Sequence, residues 1–264
     1  MALLNVEYKS QALGRNIPFT AILPVDHIDY EHNINKSDNG PYKTLYLLNG
    51  LYGDCIEWLT HTDIKRLAER NNLAVIMPSG ENSFYLNYPS SNRNYSKYVG
   101  EELVNITRRM FNLSNKREDT FIGGYSMGGF GALYNGFKYN NTFSKIVALS
   151  SALILEDDFD KTNQSIFKYN QEYIEECFGN LDTALNRDVN VNNLIKKLED
   201  SNKDIPDLFI TCASDDSLYD ANIKFVNFLS NYNNINYIFH EGVGGHQWDY
   251  WNKFMKEIVE WLTC

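Results

Sequence analysis

The sequence is short of positive charge. Its 264 residues carry 24 Lys and Arg against 34 Asp and Glu, a formal net charge of −10. That balance argues against a nucleic-acid partner and leaves no polybasic segment for an anionic membrane. Long apolar runs are missing as well. No stretch approaches the ~18 consecutive apolar residues of a membrane span. The opening "MALLNVEYKSQALGRNIPF" lacks the charged leader and apolar core of a secretory signal. Cysteine is sparse: Cys55, Cys177, Cys212 and Cys264 are scattered and form no C-x-x-C pair. The usual zinc and redox frameworks are therefore absent, and free thiols in a cytoplasmic protein are expected. The acidic "CASDDSLYD" lacks the D-x-D-x-D-G spacing of a calcium loop. Neither a metal nor a cofactor is expected.

What is present is a chain that is 43% hydrophobic, enough for one large core. "LLNVEYKS" and "IPFTAILP" read as a strand pair with a turn at Gly14–Asn16. Dense apolar runs follow in "YKTLYLLNG", "LAVIMPSG", "DTFIGGYS", "FSKIVALSS", "PDLFITCAS" and "INYIFHEG", each reading as a buried strand. Helical spacing appears between them, in "IKRLAERNN", "YVGEELVNITRRMF", "GGFGALYNGFKY", "LYDANIKFVNFLSNY" and "WDYWNKFMKEIVEWL". The alternation predicts an α/β fold, a mostly parallel sheet with helices on both faces. Residues 151–204 break the rhythm. They are polar, too long for an ordinary connection, and read as a cap-like helical insertion in a single domain spanning residues 1–264.

One motif lies at a strand-to-helix junction. Gly124-Tyr125-Ser126-Met127-Gly128 fits G-x-S-x-G. A sharp turn there forces the serine into a strained backbone and needs small neighbours. The amide of Met127, opening the helix, is placed to donate to an oxyanion. A nucleophilic serine needs a base, and there are five histidines: His27, His32, His61, His240 and His246. The first two precede the core sheet, His61 precedes a helix and His240 ends a strand. His246, in the glycine-rich loop "EGVGGHQW" after the last strand, is the candidate base. The base needs a carboxylate to fix its tautomer. "CASDDSLYD", after another buried strand, offers Asp215, Asp216 and Asp220; spacing alone does not choose between Asp215 and Asp216. The loop "LYLLNGLYGD" offers the amide of Leu51 as a second oxyanion donor. Trp58, Tyr85, Tyr88 and Trp248 are aromatic candidates for a substrate pocket rim, with core packing the competing explanation.

Together these residues resemble the esterase D family of α/β-hydrolases, which includes tributyrin, acetyl and feruloyl esterases and S-formylglutathione hydrolases. The resemblance covers nearly the whole chain and is most specific in "REDTFIGGYSMGGFGAL". It implies the α/β-hydrolase fold and a serine carboxylesterase acting on a small acyl ester. It selects Asp216, since the family's acid stands two residues before Leu-Tyr, and it places the catalytic histidine in "GGHQWDYW". Two departures stand out: Asn49-Gly50 where many members carry His-Gly, and Gly50-Leu51-Tyr52-Gly53 where the S-formylglutathione hydrolases carry Gly-Leu-Thr-Cys. A thioesterase, an acyltransferase and an inactive scaffold on the same fold are the alternatives. The sequence does not choose between a monomer and a homo-oligomer.

Overall fold

A computed structural model describes residues 1–26, 40–155 and 171–264. His27, His32 and residues 156–170 of the expected insertion lie outside the described residues.

Eight strands form one sheet. They are β1 (Ala2–Ser10), β2 (Arg15–Leu23), β3 (Lys43–Leu48), β4 (Leu73–Pro78), β5 (Thr120–Tyr125), β6 (Lys145–Leu149), β7 (Asp207–Ala213) and β8 (Tyr237–Gly242). Their order across the sheet is β1-β2-β4-β3-β5-β6-β7-β8. β1 pairs antiparallel with β2, and β2 antiparallel with β4; every other pairing is parallel. The mostly parallel sheet agrees with the α/β-hydrolase fold. β4 and β5 are buried at every residue, which explains their unbroken apolar reading. β1, at the sheet edge, alternates half-buried and exposed residues.

Side-chain alternation divides the core between the two faces. Tyr46, Leu48, Ile122 and Ile146 point to one face, covered by α3 (Leu103–Met110) and α4 (Met127–Lys138), with α6 (Val191–Asp200) and α7 (Tyr219–Leu229) beside them. Leu45, Leu47, Phe121 and Val147 point to the other, covered by α2 (Ile64–Arg70) and α9 (Met255–Thr263). A short α1 (Glu57–His61) precedes α2, α5 (Gln171–Phe178) lies in the 151–204 stretch, and α8 (Trp248–Trp251) precedes α9. No helix among the described residues is long and apolar enough to cross a membrane.

Three boundaries differ from the sequence reading. The first turn lies at residues 11–14, and Asn16 already sits in β2 opposite Lys9. The Glu102 carboxylate draws the chain round earlier, accepting from the amides of Gln11 and Ala12 and from Ser10 Oγ. The stretch expected as one helix from Tyr98 opens with a π-helical turn, Tyr98–Glu102, before α3. The last helix is broken into α8 and α9 at Asn252, whose side chain donates to the carbonyl of His61.

Candidate active site

The parallel register brings three strand ends together. Tyr125 of β5 lies opposite Leu149 of β6, Leu149 opposite Thr211 of β7, and Gly242 of β8 opposite Ala213. Ser126, Asp216 and His246 follow the ends of β5, β7 and β8, so all three lie beyond the carboxyl edge of the sheet. Ligand crevices of open α/β sheets form there.

Ser126 is almost fully buried, at 3% exposure. Its backbone has φ 55° and ψ −122°, a combination that costs a non-glycine residue about 1–3 kcal/mol. Three backbone hydrogen bonds hold it there. Its amide donates to Leu149 O at 2.9 Å, and its carbonyl accepts from Phe130 and Ala152 at 3.1 and 3.0 Å. The flanking glycines are sterically required. A Cβ on Gly124 would stand 2.4 Å from Gly128 O, and one on Gly128 would stand 2.5 Å from Leu48 O. Met127 begins α4, so its amide has no intrahelical acceptor.

Asp216 and His246 meet directly. His246 Nδ1 lies 2.9 Å from Asp216 Oδ2 and 3.1 Å from Oδ1. The Asp216 side chain is fully buried, while Asp215 and Asp220 are exposed. Burial pushes the Asp216 carboxyl upward. The hydrogen bond and charge of His246, with the Leu218 amide at 2.9 Å, outweigh this and hold it below its ordinary value. The two loops are tied together by Ser214 N to Gly242 O at 2.9 Å and Asp215 N to Gly244 O at 3.0 Å.

An aromatic stack joins the histidine loop to the serine turn. Trp251 meets the His246 ring edge-on at 5.0 Å and packs on Tyr125, the neighbour of Ser126, at 4.5 Å. Its indole N–H donates to Ser150 Oγ at 2.9 Å. Trp251 and Ser150 carried no motif that would single them out in the sequence.

The Leu51 amide lies in the turn after β3 and donates to no backbone acceptor among the described residues. Of the aromatic candidates for the rim, Trp58 and Tyr85 are corrected by their burial, at 1% and 0% exposure. Trp58 packs on Tyr125 and Trp248 and donates to Leu48 O, and Tyr85 is enclosed behind the Leu51 turn. Trp248 is half-buried and stacks on His61 at 5.0 Å; Tyr88, also half-buried, donates to Ser83 O. His240 lies within β8, 2.9 Å from Glu257 and stacked on Phe254, which accounts for it without catalysis. A cavity of about 550 Å³ lined by His61, Arg66, Arg70 and Lys256 contains none of Ser126, Asp216 and His246.

The family model Esterase, described as "Putative esterase", matches residues 10–262. The chain belongs to the Esterase family. Membership makes it a carboxylic ester hydrolase of α/β-hydrolase fold. A relative of this esterase is the acetyl esterase of Caldicellulosiruptor saccharolyticus, 41% identical over 100% of this chain and 98% of its own length. Among solved structures, the fluorophosphonate-binding serine hydrolase FphF of Staphylococcus aureus is 32% identical with a TM-score of 0.84, covering 100% of this chain and 98% of that one. A structure titled as S-formylglutathione hydrolase FrmB of the same organism is also 32% identical at TM-score 0.84, covering 100% and 99%.

Proposed function

We propose that this esterase hydrolyses short-chain acyl esters, acetyl esters foremost, through a Ser126–His246–Asp216 triad and an acyl-enzyme. The observation that carries the reading is the hydrogen bond from half-buried His246 to buried Asp216, at the same sheet edge as the strained Ser126 turn. Ser126 Oγ attacks the ester carbonyl while His246 Nε2 takes its proton. The amides of Met127 and Leu51 donate to the oxyanion. His246 then returns the proton to the departing alcohol, leaving an acyl group on Ser126. Water, deprotonated by His246, attacks that acyl carbonyl. The acid departs and the proton returns to Ser126. The full-length likeness to an acetyl esterase supports the acyl class. A substrate pocket around this centre, capped by the described residues 171–204, is part of the same reading. The four free cysteines accord with a cytoplasmic site of action.

A second reading, thioester hydrolysis, is favoured by the likeness to the protein titled S-formylglutathione hydrolase. Steady-state kinetics on p-nitrophenyl acetate, butyrate and ferulate esters, with S-formylglutathione in the same series, test both. The ester reading predicts highest kcat/KM on acetate and a drop on the order of 10⁶-fold in Ser126→Ala, as in serine proteases that lose the nucleophile. Preference for the thioester would select the second reading, and full turnover in Ser126→Ala would exclude both.

A further inference from the structure

Behind the Leu51 turn lies a buried polar unit whose members carry out no step of the reaction. Asn49 is fully buried at the end of β3. Its Nδ2 donates to Gly50 O at 2.7 Å and to Gly53 O at 3.0 Å. Its Oδ1 accepts from the Gly80 amide at 2.9 Å. Both amide protons are thereby used, and the carbonyls they hold lie on either side of Leu51. The turn is closed by Gly53 N to Gly50 O at 3.3 Å. One side chain clamps the segment that presents the Leu51 amide.

Tyr85 connects this clamp to the serine's helix. Its hydroxyl lies 3.0 Å from Asn49 Oδ1 and 3.1 Å from Asn49 O, sharing one proton between them. Its carbonyl accepts from Asn135 of α4 at 3.2 Å. Its ring lies so close to α4 that a Cβ on Gly131 would come within 2.4 Å of it, and a Cβ on Gly80 would come within 2.1 Å of the hydroxyl. Tyr85 itself is held at φ 53°, a left-handed conformation uncommon for an aromatic residue. A single buried ring thus touches the helix that begins at Met127 and the residue that clamps the turn around Leu51.

We propose that Asn49 and Tyr85 are positioning residues that fix the spacing between the Leu51 and Met127 amides, and so the geometry of the oxyanion hole. The proposal rests on the triad reading above. An oxyanion donor acts only when it is aimed at the oxygen of the tetrahedral species, so its misplacement lowers kcat without weakening substrate binding. Both side chains would act through the loop and touch no substrate.

The test compares Tyr85→Phe, which removes one hydroxyl, with Asn49→Asp, which sets an acceptor against the Gly50 and Gly53 carbonyls. Measured for each are kcat and KM on p-nitrophenyl acetate, the Ki of a trifluoromethyl ketone that forms a hemiketal with Ser126, and Tm. The expected result is kcat lower by about 10-fold in Tyr85→Phe and about 10²-fold or more in Asn49→Asp. KM should stay within about twofold, and Ki should rise in step with the loss of kcat. Tyr85→Phe carries the test alone if Asn49→Asp does not fold. Unchanged kcat in folded Tyr85→Phe would overturn the proposal. A fall in Tm with kcat and Ki unmoved would overturn it too, since packing alone would explain that. Ser126→Ala is assayed first: turnover there would overturn the triad reading, an outcome distinct from a failure of the clamp.

Discussion

The Asp216 carboxylate faces Nδ1 of His246 with both oxygens, at 2.9 and 3.1 Å. An ionised carboxylate can only accept, so Nδ1 carries a proton, and in the neutral ring Nε2 then keeps its lone pair. On the proposed mechanism that lone pair receives the Ser126 proton, which makes the Asp216 contact a statement about tautomer as much as about position. Asp216→Asn is expected to fold and to lose about 10⁴-fold in kcat, as in a serine protease whose acid is replaced by its amide. Steady-state assay beside a circular-dichroism melt checks this; a loss under tenfold would contradict it.

The pH profile should show one ionisation on its acid side. Protonated His246 cannot act as base, so kcat/KM should fall as pH falls. Asp216 is held below its ordinary value by His246 and the Leu218 amide, so it stays ionised through that decline. The slope of log kcat/KM against pH is therefore expected to approach 1. The stabilising contribution of Asp216 follows the rule for a depressed carboxyl. It is complete above the unfolded pKa and is lost only as pH falls through the lower folded value. A slope of 2, or a kcat/KM that rises as pH falls, would contradict this.

Gly128→Ala should damage the fold as well as the reaction. Its Cβ would meet two backbone oxygens, Leu48 O at 2.5 Å and Asn49 O at 2.7 Å, and neither can swing aside as a side chain could. Overpacking of this kind typically costs about 1–3 kcal/mol, equivalent to a few degrees of Tm per kcal/mol in a chain of this size. A thermal melt reads it, and an unchanged Tm would contradict the packing described.

Trp58→Phe separates core from pocket. Trp58 is enclosed and donates to Leu48 O. Its truncation should lower Tm and leave KM on p-nitrophenyl acetate within about twofold. A large rise in KM at unchanged Tm would return Trp58 to the substrate rim.

Much of the fold was legible because buried parallel strands write themselves as dense apolar runs, as in "LAVIMP" and "TFIGGY". The serine turn was legible for a steric reason. Gly124 and Gly128 stand where any Cβ collides with backbone, so the constraint appears in the sequence itself. The difference between Asp215 and Asp216 was not written in spacing, because it lies in their burial, and burial is a tertiary property. The aromatic residues were hardest to place. Trp58, Tyr85 and Trp251 are equally apolar on paper, and only packing reveals that they brace the loops from behind. The first turn was misplaced because Glu102, distant in sequence, supplies the hydrogen bonds that set it.

The most direct measurement is intact-mass analysis after incubation with an active-site fluorophosphonate, run beside Ser126→Ala. The account predicts a single adduct on the parent protein, mapping to Ser126, and none on the folded variant. No adduct on folded parent protein, or an equal adduct on Ser126→Ala, would contradict the claim that Ser126 is the activated nucleophile.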